Sequence, residues 1–332
     1  MGRITRMPRG LWVTPFLALL LVLPATCRPQ PREVAQPAAT GPSQPVTDVI
    51  VTADGTVWAS YGDLSFHPRG GGILRSQNGQ LTHFSTKNEL PGDTIQQLAL
   101  SPGDEVWAAS GCQVLRFRGN QWQTLSEACS DHLPGTITDF AFSPDGSVWI
   151  ATGFELVRYS GGSWSRERIL ANSLAVDKQG GLMVAGWRGR QDTFFVQIHQ
   201  EDGQRFLEQP SNPIVHLFDD GNGRVWGRTQ ADDLYYFDDG GWQLEVSGHH
   251  RPNDFGTLSA LIAGPDHSLW MVHRLGLLVY RKGRWCLDPY LAHVYPTALT
   301  LQKQSASSIW IGTRSGRLLS YGTVCGIHPG GE

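Results

Sequence analysis

The chain has 332 residues, of which 40% are hydrophobic, 17% are charged and 10% are aromatic, with 39 Gly, 20 Pro and 12 Trp. The hydrophobic content excludes an intrinsically disordered chain, and abundant Gly and Trp with few charges excludes a long helical or coiled-coil protein. The formal net charge of −3 excludes a strongly basic protein that coats nucleic acid.

Residues 1–26 have the layout of a secretory signal peptide. Its N-terminal region is positively charged, with Arg3, Arg6 and Arg9 and no acidic residue. An apolar run of 13 residues, Leu11–Leu23, follows it. This run is too short for a comfortable membrane span, which needs about 20 apolar residues. We therefore predict export of a mature protein with 24 basic and 30 acidic residues, a net charge of −6.

Cys27 stands near the position where a bacterial lipoprotein is cleaved and modified with lipid. The segment Leu23–Cys27 departs from the usual lipoprotein signature, because the leucine lies one position too early. Residues 27–45 contain five prolines among polar and small residues, which predicts a semi-rigid tether. We predict an extracytoplasmic protein, at the cell surface or in the periplasm, with either a lipid anchor at Cys27 or an ordinary cleaved N-terminus.

A repeat occupies residues 46–327, and residues 328–332 form a short tail. Its clearest copy is Ile137–Arg168. The first Trp of each copy recurs at intervals of 34 to 49 residues, and the fourth copy has Met in its place. These positions are Trp58, Trp107, Trp149, Met183, Trp226, Trp270 and Trp310. Four copies have a second Trp 15 or 16 residues later: Trp122, Trp164, Trp242 and Trp285.

Each copy contains four short apolar alternations separated by turn residues such as Asp145-Gly146 and Gly161-Gly162. Alternation with period two predicts β-strands, and these turn residues accept the positive φ of tight hairpins. Four antiparallel strands per repeat are typical of propeller blades, and ring closure removes exposed sheet edges. The sequence predicts an all-β fold, a single seven-bladed β-propeller of four-stranded antiparallel blades. The ring closes either by packing alone or by addition of Arg32–Ala35 to the last blade.

The repeat, with Asp145-Gly146 before Trp149 and Gly161-Gly162 before Trp164, resembles the two-component-regulator propeller repeat. That repeat occurs in periplasmic sensor halves of hybrid histidine kinases and in freestanding exported proteins. The resemblance implies an exported sensor or binding propeller, and without a kinase segment direct signal transduction by this chain is not predicted. Streptogramin lyases are also seven-bladed with a similar repeat, so a lyase-like or glycan-cleaving enzyme is the alternative.

Propeller topology gathers basic and aromatic residues on one face. The loops between the second and third strands lie on the same face as the loops between blades. The predicted ligand-binding residues there are Trp187, Arg188, Arg190, Arg228, His273, Arg274 and Arg314. On an acidic body this rim would attract an anionic polysaccharide or an acidic patch of a partner protein. The alternative is a solvated rim whose arginines pair with Asp232, Asp254 or Asp266.

The regular Trp residues are predicted to pack between neighbouring blades, whereas Trp187 lies outside the series and is expected to be exposed. No cofactor or metal is predicted, because His249, His250, His273 and His293 lack the compact spacing of a zinc site. No His–carboxylate pair can be named for acid–base catalysis, which favours a non-catalytic binding protein. We expect a monomer that binds no nucleic acid and contacts membranes only through an N-terminal lipid.

The remaining four cysteines predict structural disulfides in an oxidising compartment. Cys112 and Cys129 both fall in loops on one face of the second blade. Cys286 and Cys325 occupy equivalent outer-strand positions in adjacent blades, where a bond would fasten the C-terminal end. Free thiols in the core are the alternative.

Overall fold

The computed structural model describes residues 28–35, 44–62, 70–126, 135–188, 193–200, 203–219, 223–247, 261–263, 268–273, 276–281, 283–288, 291, 295–301 and 308–324. Every regular element within these ranges is a β-strand, and there are 28 of them. In this part of the chain no helix could cross a membrane.

The strands are grouped here by blade. The first blade contains β2 (Val46–Val51), β3 (Val57–Gly62), β4 (Gly70–Gln77) and β5 (Gln80–Phe84). The second contains β6 (Gln97–Leu100), β7 (Val106–Ser110), β8 (Gln113–Arg118) and β9 (Gln121–Thr124). The third contains β10 (Asp139–Phe142), β11 (Val148–Ala151), β12 (Leu156–Ser160) and β13 (Ser163–Glu167). The fourth contains β14 (Ala171–Val176), β15 (Leu182–Arg188), β16 (Thr193–Gln200) and β17 (Gly203–Phe206).

The remaining blades follow the same order. The fifth contains β18 (Ile214–Asp219), β19 (Val225–Thr229), β20 (Leu234–Asp238) and β21 (Gly241–Val246). The sixth contains β22 (Leu261–Ala263), β23 (Leu269–His273), β24 (Gly276–Arg281) and β25 (Arg284–Leu287). The seventh combines β26 (Pro296–Leu301), β27 (Ser308–Thr313) and β28 (Leu318–Val324) with the N-terminal β1 (Arg28–Ala35). The seven antiparallel sheets of four strands confirm the predicted propeller.

The turn between the first two strands of a blade follows from its Asp-Gly sequence. In the third blade, Gly146 has a φ of 80°, which a residue with a Cβ rarely adopts. The carboxylate of Asp145 accepts the backbone N–H of Ser147 at 2.9 Å, which closes the turn locally. The end of one strand and the start of the next are therefore determined by residues within the turn itself.

Aromatic side chains fill the spaces between blades. Trp58 lies 4.6 Å from Phe117 and 5.8 Å from Trp122 of the next blade, measured between ring centroids. Six of the regular Trp residues are buried, with exposures of 3 to 8%. The predicted packing role is therefore confirmed for Trp58, Trp107, Trp122, Trp226, Trp270 and Trp310. The other four, Trp149, Trp164, Trp242 and Trp285, are only partly buried.

The ring closes through a strand from the N-terminal end of the chain. β1 pairs antiparallel with β28, so that Arg28 lies opposite Val324 and Pro31 opposite Tyr321. Of the two predicted modes of closure, strand addition is the one observed, and it extends over Arg28–Ala35. This corrects the predicted tether of residues 27–45, because residues 28–35 satisfy the open edge of β28.

Candidate functional site

The inner strands of six blades surround a central channel of about 550 Å³. Five copies of the repeat have a polar residue at one equivalent position of the inner strand, two residues before the residue that pairs with the first Trp or its Met replacement. We call these residues the channel ring: Asp48, Gln97, Asp139, Ser173 and His216. All but Ser173 line the channel, and Ser173 is buried behind it.

The two aspartates of the channel ring link successive blades. Asp48 accepts the backbone N–H of Leu98 in the second blade at 2.7 Å. Asp139 accepts the backbone N–H of Leu174 in the fourth blade at 2.8 Å. Each also accepts the N–H of the residue that follows it in its own strand. These bonds satisfy backbone donors of the inner strands.

Neutral members of the ring extend these links. The side-chain amide of Gln97 donates to Asp139 at 2.9 Å. The hydroxyl of Ser173 lies 3.0 Å from Asp139 and also contacts the backbone of Leu217 in the fifth blade at 2.9 and 3.0 Å. Three N–H donors therefore surround the carboxylate of Asp139, and the Ser173 hydroxyl lies beside it with one proton for either Asp139 or the carbonyl of Leu217.

Burial in the channel shifts the pKa values of the titratable residues of the channel ring. Removal from water raises the pKa of Asp48 to about 6, and the negative charge of Asp139 adds to this. Burial also raises the pKa of Asp139, against the opposing effect of His216. The pKa of His216 is lowered by burial, although Asp139 favours its charged form.

A second concave site lies on the face predicted for ligand binding, between the third and fourth blades. This basic pocket has a volume of about 320 Å³. Its lining includes Arg168, Leu170, Trp187, Arg188, Phe195 and Phe206. Trp187 and Arg188 were predicted from the sequence, whereas Arg168 and Phe206 were not. No acidic residue of the described chain lines this pocket.

Aromatic rings hold the guanidinium of Arg188. Its central carbon lies 3.8 Å from the ring centroid of Phe206 and 5.6 Å from that of Phe195. The two rings meet edge to face, with centroids 5.6 Å apart. Phe206 is 51% exposed, so this cation–π stack stands at the surface. A guanidinium held against an aromatic ring can still donate its N–H groups to a carboxylate.

The pocket depends on close packing of two backbone segments at Gly186. A Cβ added to Gly186 would lie 2.1 Å from the carbonyl oxygen of Leu170. Trp187 then donates its backbone N–H to Leu170 at 3.2 Å. Glycine therefore lets the segment that contains Arg168 approach β15.

The other predicted rim residues lie apart from the basic pocket. Arg228 forms a salt bridge of 3.0 Å with Asp232, a pairing that the sequence analysis gave as an alternative for the rim. Arg314 is exposed in the turn between β27 and β28. Neither lines the basic pocket. His273 ends β23, while Arg190 and Arg274 lie outside the described residues.

The cysteine predictions have different outcomes. Cys286 is a free, exposed cysteine on outer strand β25, which corrects the predicted bond with Cys325, itself outside the described residues. Outer strands of adjacent blades diverge, which separates their side chains. Cys112 is buried and is not free. Its bond with Cys129 stays a prediction, because Cys129, like Cys27, lies outside the described residues.

No family model matches this sequence, and no curated protein is similar to it. Among solved structures, virginiamycin B lyase from Staphylococcus aureus, an inactive variant with quinupristin, has a TM-score of 0.68 and 13% identity, covering 90% of this chain and 100% of that one. The extracellular domain of a hybrid two-component system from B. thetaiotaomicron has a TM-score of 0.64 and 17% identity, covering 89% of this chain and 41% of that one. YCF48 bound to a D1 peptide has a TM-score of 0.62 and 17% identity, covering 91% and 97%.

This chain has the propeller fold of these proteins. The resemblance to two-component-regulator propellers, predicted from the repeat, is confirmed at the level of the fold. These identities show fold alone, because one fold supports unrelated functions on different sites. Sequence reasoning missed the channel ring, although its polar residues recur at a constant offset from Trp.

Proposed function

We propose that this protein is an exported, non-catalytic propeller that binds an acidic segment of a partner protein in the basic pocket. The stacked pair of Arg188 and Phe206, beside Trp187 and Arg168 in a cavity without a lining carboxylate, is the observation that supports this function most strongly. A preorganised guanidinium loses little conformational freedom when it binds a carboxylate.

The size of the pocket favours a peptide over a long polysaccharide. A cavity of about 320 Å³ accommodates a side chain or two of an acidic segment. An exposed Phe ring and a partly buried Trp supply the apolar contact that recognition sites commonly use. The similar propeller YCF48 is known with a bound peptide, which gives this fold a precedent for peptide binding.

The proposed location follows from the N-terminal sequence and from the fold. Residues 1–26 have the features of a secretory signal, and a similar propeller is the extracellular domain of a two-component system. A lipid at Cys27 would attach one residue before β1 begins, and would therefore hold the seventh blade close to the membrane. Cell fractionation of the parent and of Cys27→Ser tests this anchor, and membrane association that persists in the variant would contradict it.

The binding proposal is tested with fluorescein-labelled hexaglutamate and, separately, with polygalacturonate. Arg188→Glu should weaken hexaglutamate binding at least tenfold and reduce its dependence on salt, because a charge-assisted contact is lost. Arg284→Glu is the matched control, since Arg284 is exposed in the sixth blade and lines none of this pocket. Equal losses in the two variants would overturn the assignment, and binding of polygalacturonate alone would favour a polysaccharide.

Combined charge reversal tests whether the wider rim takes part. A triple variant in which Glu replaces Arg188, Arg274 and Arg314 should no longer bind the anionic probe. If the triple variant binds as tightly as the parent, the rim does not form the site.

A second candidate, a lyase-like enzyme, is supported by the acidic groups of the channel. Asp48 has a pKa of about 6 and would be a general acid–base group close to neutral pH, and His216 lines the same channel. Chromatography of quinupristin incubated with the parent and with Asp48→Asn distinguishes the two functions. Conversion by the parent that is lost in the variant would favour the enzyme.

A further inference from the structure

The space between the third and fourth blades departs from the packing of the repeat on the face opposite the basic pocket. The second and third blades each pair an aromatic residue with the second Trp, namely Phe117 with Trp122 and Tyr159 with Trp164. At the same register position the fourth blade pairs His199 with Gln204. Two polar residues therefore replace two aromatic ones.

A groove of about 890 Å³ opens at this substitution. Its lining includes Asp145, Trp149, Arg158, Glu167, His199 and Gln204. The ring of His199, in place of an aromatic pair, meets Trp149 edge to face from the fourth blade, with ring centroids 5.9 Å apart. The missing aromatic volume accounts for the partial exposure of Trp149.

The single arginine of the groove is already neutralised. Arg158 forms a salt bridge of 2.7 Å with Asp145, and its guanidinium lies 5.2 Å from the ring centroid of Trp149. Glu167 lines the same groove and forms no salt bridge with any described residue. One carboxylate charge is therefore left without a paired cation.

The other polar groups of the groove include further hydrogen-bond acceptors. Burial lowers the pKa of His199, so its ring is neutral at pH 7 and one ring nitrogen accepts a hydrogen bond. Nε2 of His199 is buried and has no hydrogen-bond partner among the described residues. An unsatisfied buried polar atom is uncommon and marks a place where a partner is expected. Gln204 is exposed and adds an amide oxygen.

We infer that this groove binds an organic cation, the ammonium or guanidinium group of a Lys or Arg side chain in a partner peptide. Such a group has three to five N–H donors and no acceptor, which complements Glu167 and the acceptors beside it. The methylene stem of the same side chain would pack on Trp149. This site lies on the opposite face from the basic pocket, and the inference does not depend on the proposed function.

The test uses three peptides: acetyl-Gly-Arg-Gly-amide, acetyl-Gly-Lys-Gly-amide and an otherwise identical peptide with neutral citrulline. Binding is followed through the indole ¹H–¹⁵N resonance of Trp149, assigned with Trp149→Phe. The Arg or the Lys peptide should shift this resonance in a saturable way, and the citrulline peptide should not. No shift with either cation, or an equal shift with citrulline, would overturn the inference.

Two substitutions test the role of charge without changing the shape of the groove. Glu167→Gln should weaken cation binding roughly tenfold, the size expected for one charge-assisted hydrogen bond. Gln204→Glu adds a second carboxylate and should tighten binding, and it keeps the oxygen that accepts from Gln197. Glu208→Gln is the matched control, because Glu208 is exposed and lies outside the groove. Equal affinity in Glu167→Gln and Glu208→Gln would also overturn the inference.

Discussion

The carboxylate of Asp139 in the third blade accepts the backbone N–H of Leu174 in the fourth blade at 2.8 Å. Strands of different blades share no sheet hydrogen bonds, so this contact helps to join two separate sheets, together with the Ser173 hydroxyl on Asp139 and the backbone N–H of Gly153, which donates to the carbonyl of Ala171 at 2.8 Å. The channel ring therefore stabilises the arrangement of the blades around the axis, and catalysis is not needed to explain its acidic residues.

Asp139→Ala should lower the free energy of unfolding by about 3 kcal/mol, because several buried donors lose their acceptor together. Chemical denaturation of the parent and the variant measures this loss. Asp238→Ala is the control, since Asp238 is partly exposed and its salt bridge with the exposed Lys178 is as long as 4.0 Å. Similar losses in both variants would mean that the inter-blade bonds contribute little.

Asp48 should make stability depend on pH in a predictable direction. Its pKa is raised from 3.8 to about 6 in the folded protein, so the folded state binds this proton more tightly than the unfolded state does. The contribution to the free energy of unfolding is therefore fully present below pH 4 and is lost as the pH rises through 6. After allowance for partial solvent access, the loss should be about 2 kcal/mol.

The measurement compares the parent with Asp48→Asn by chemical denaturation from pH 4 to pH 7. Asn does not titrate, so the difference between the two proteins isolates the Asp48 contribution from all other groups. The parent should lose stability relative to the variant across this range. A difference that stays constant with pH would contradict the raised pKa.

β1 offers a test of ring closure by a single residue. Pro29 and Pro31 are two residues apart, so in an extended strand their missing N–H groups face the same side. The backbone N–H of Gln30, between them, faces the opposite side and should donate a hydrogen bond to β28. Gln30→Pro should therefore destabilise the protein by about 3 kcal/mol and lower its melting temperature. Pro31→Ala is the control and should leave thermal denaturation nearly unchanged, whereas equal effects would argue against closure by β1.

The sequence predicted the parts of the fold that short-range patterns determine. Asp145-Gly146, Gly161-Gly162 and the recurring Trp positions mark turns and strands within one copy of the repeat, and these predictions agree with the sheets. β1 was only one of two alternatives, because pairing with β28 joins residues nearly 300 positions apart along the chain. Its prolines also resemble those of a tether when they are read locally.

The candidate sites were predicted less completely, for a related reason. Trp187 and Arg188 stood out because they interrupt the repeat, but Arg168 and Phe206 reach the basic pocket from other strands and loops. The charge of a residue also says nothing about its partner. The sequence left Arg228 either as a ligand-binding cation of the rim or as a partner of Asp232, and only the observed contact decides between them.

Gly186 should be necessary for both the stability and the binding capacity of the fourth blade. A methyl group at this position would overlap the carbonyl oxygen of Leu170, because the two atoms would be only 2.1 Å apart. Neither partner is a flexible side chain, so the backbone segment before β14 would have to move away from β15. We expect Gly186→Ala to lower the free energy of unfolding by about 1–3 kcal/mol. Hexaglutamate binding should weaken as Arg168 is displaced from Trp187.

Gly241→Ala is the control for this substitution, since a Cβ there meets nothing within 4 Å and should leave both stability and binding unchanged. Chemical denaturation and the binding assay are carried out on the same samples, and a Gly186→Ala protein that matches the control in both would show that the close approach of the two segments does not shape the pocket.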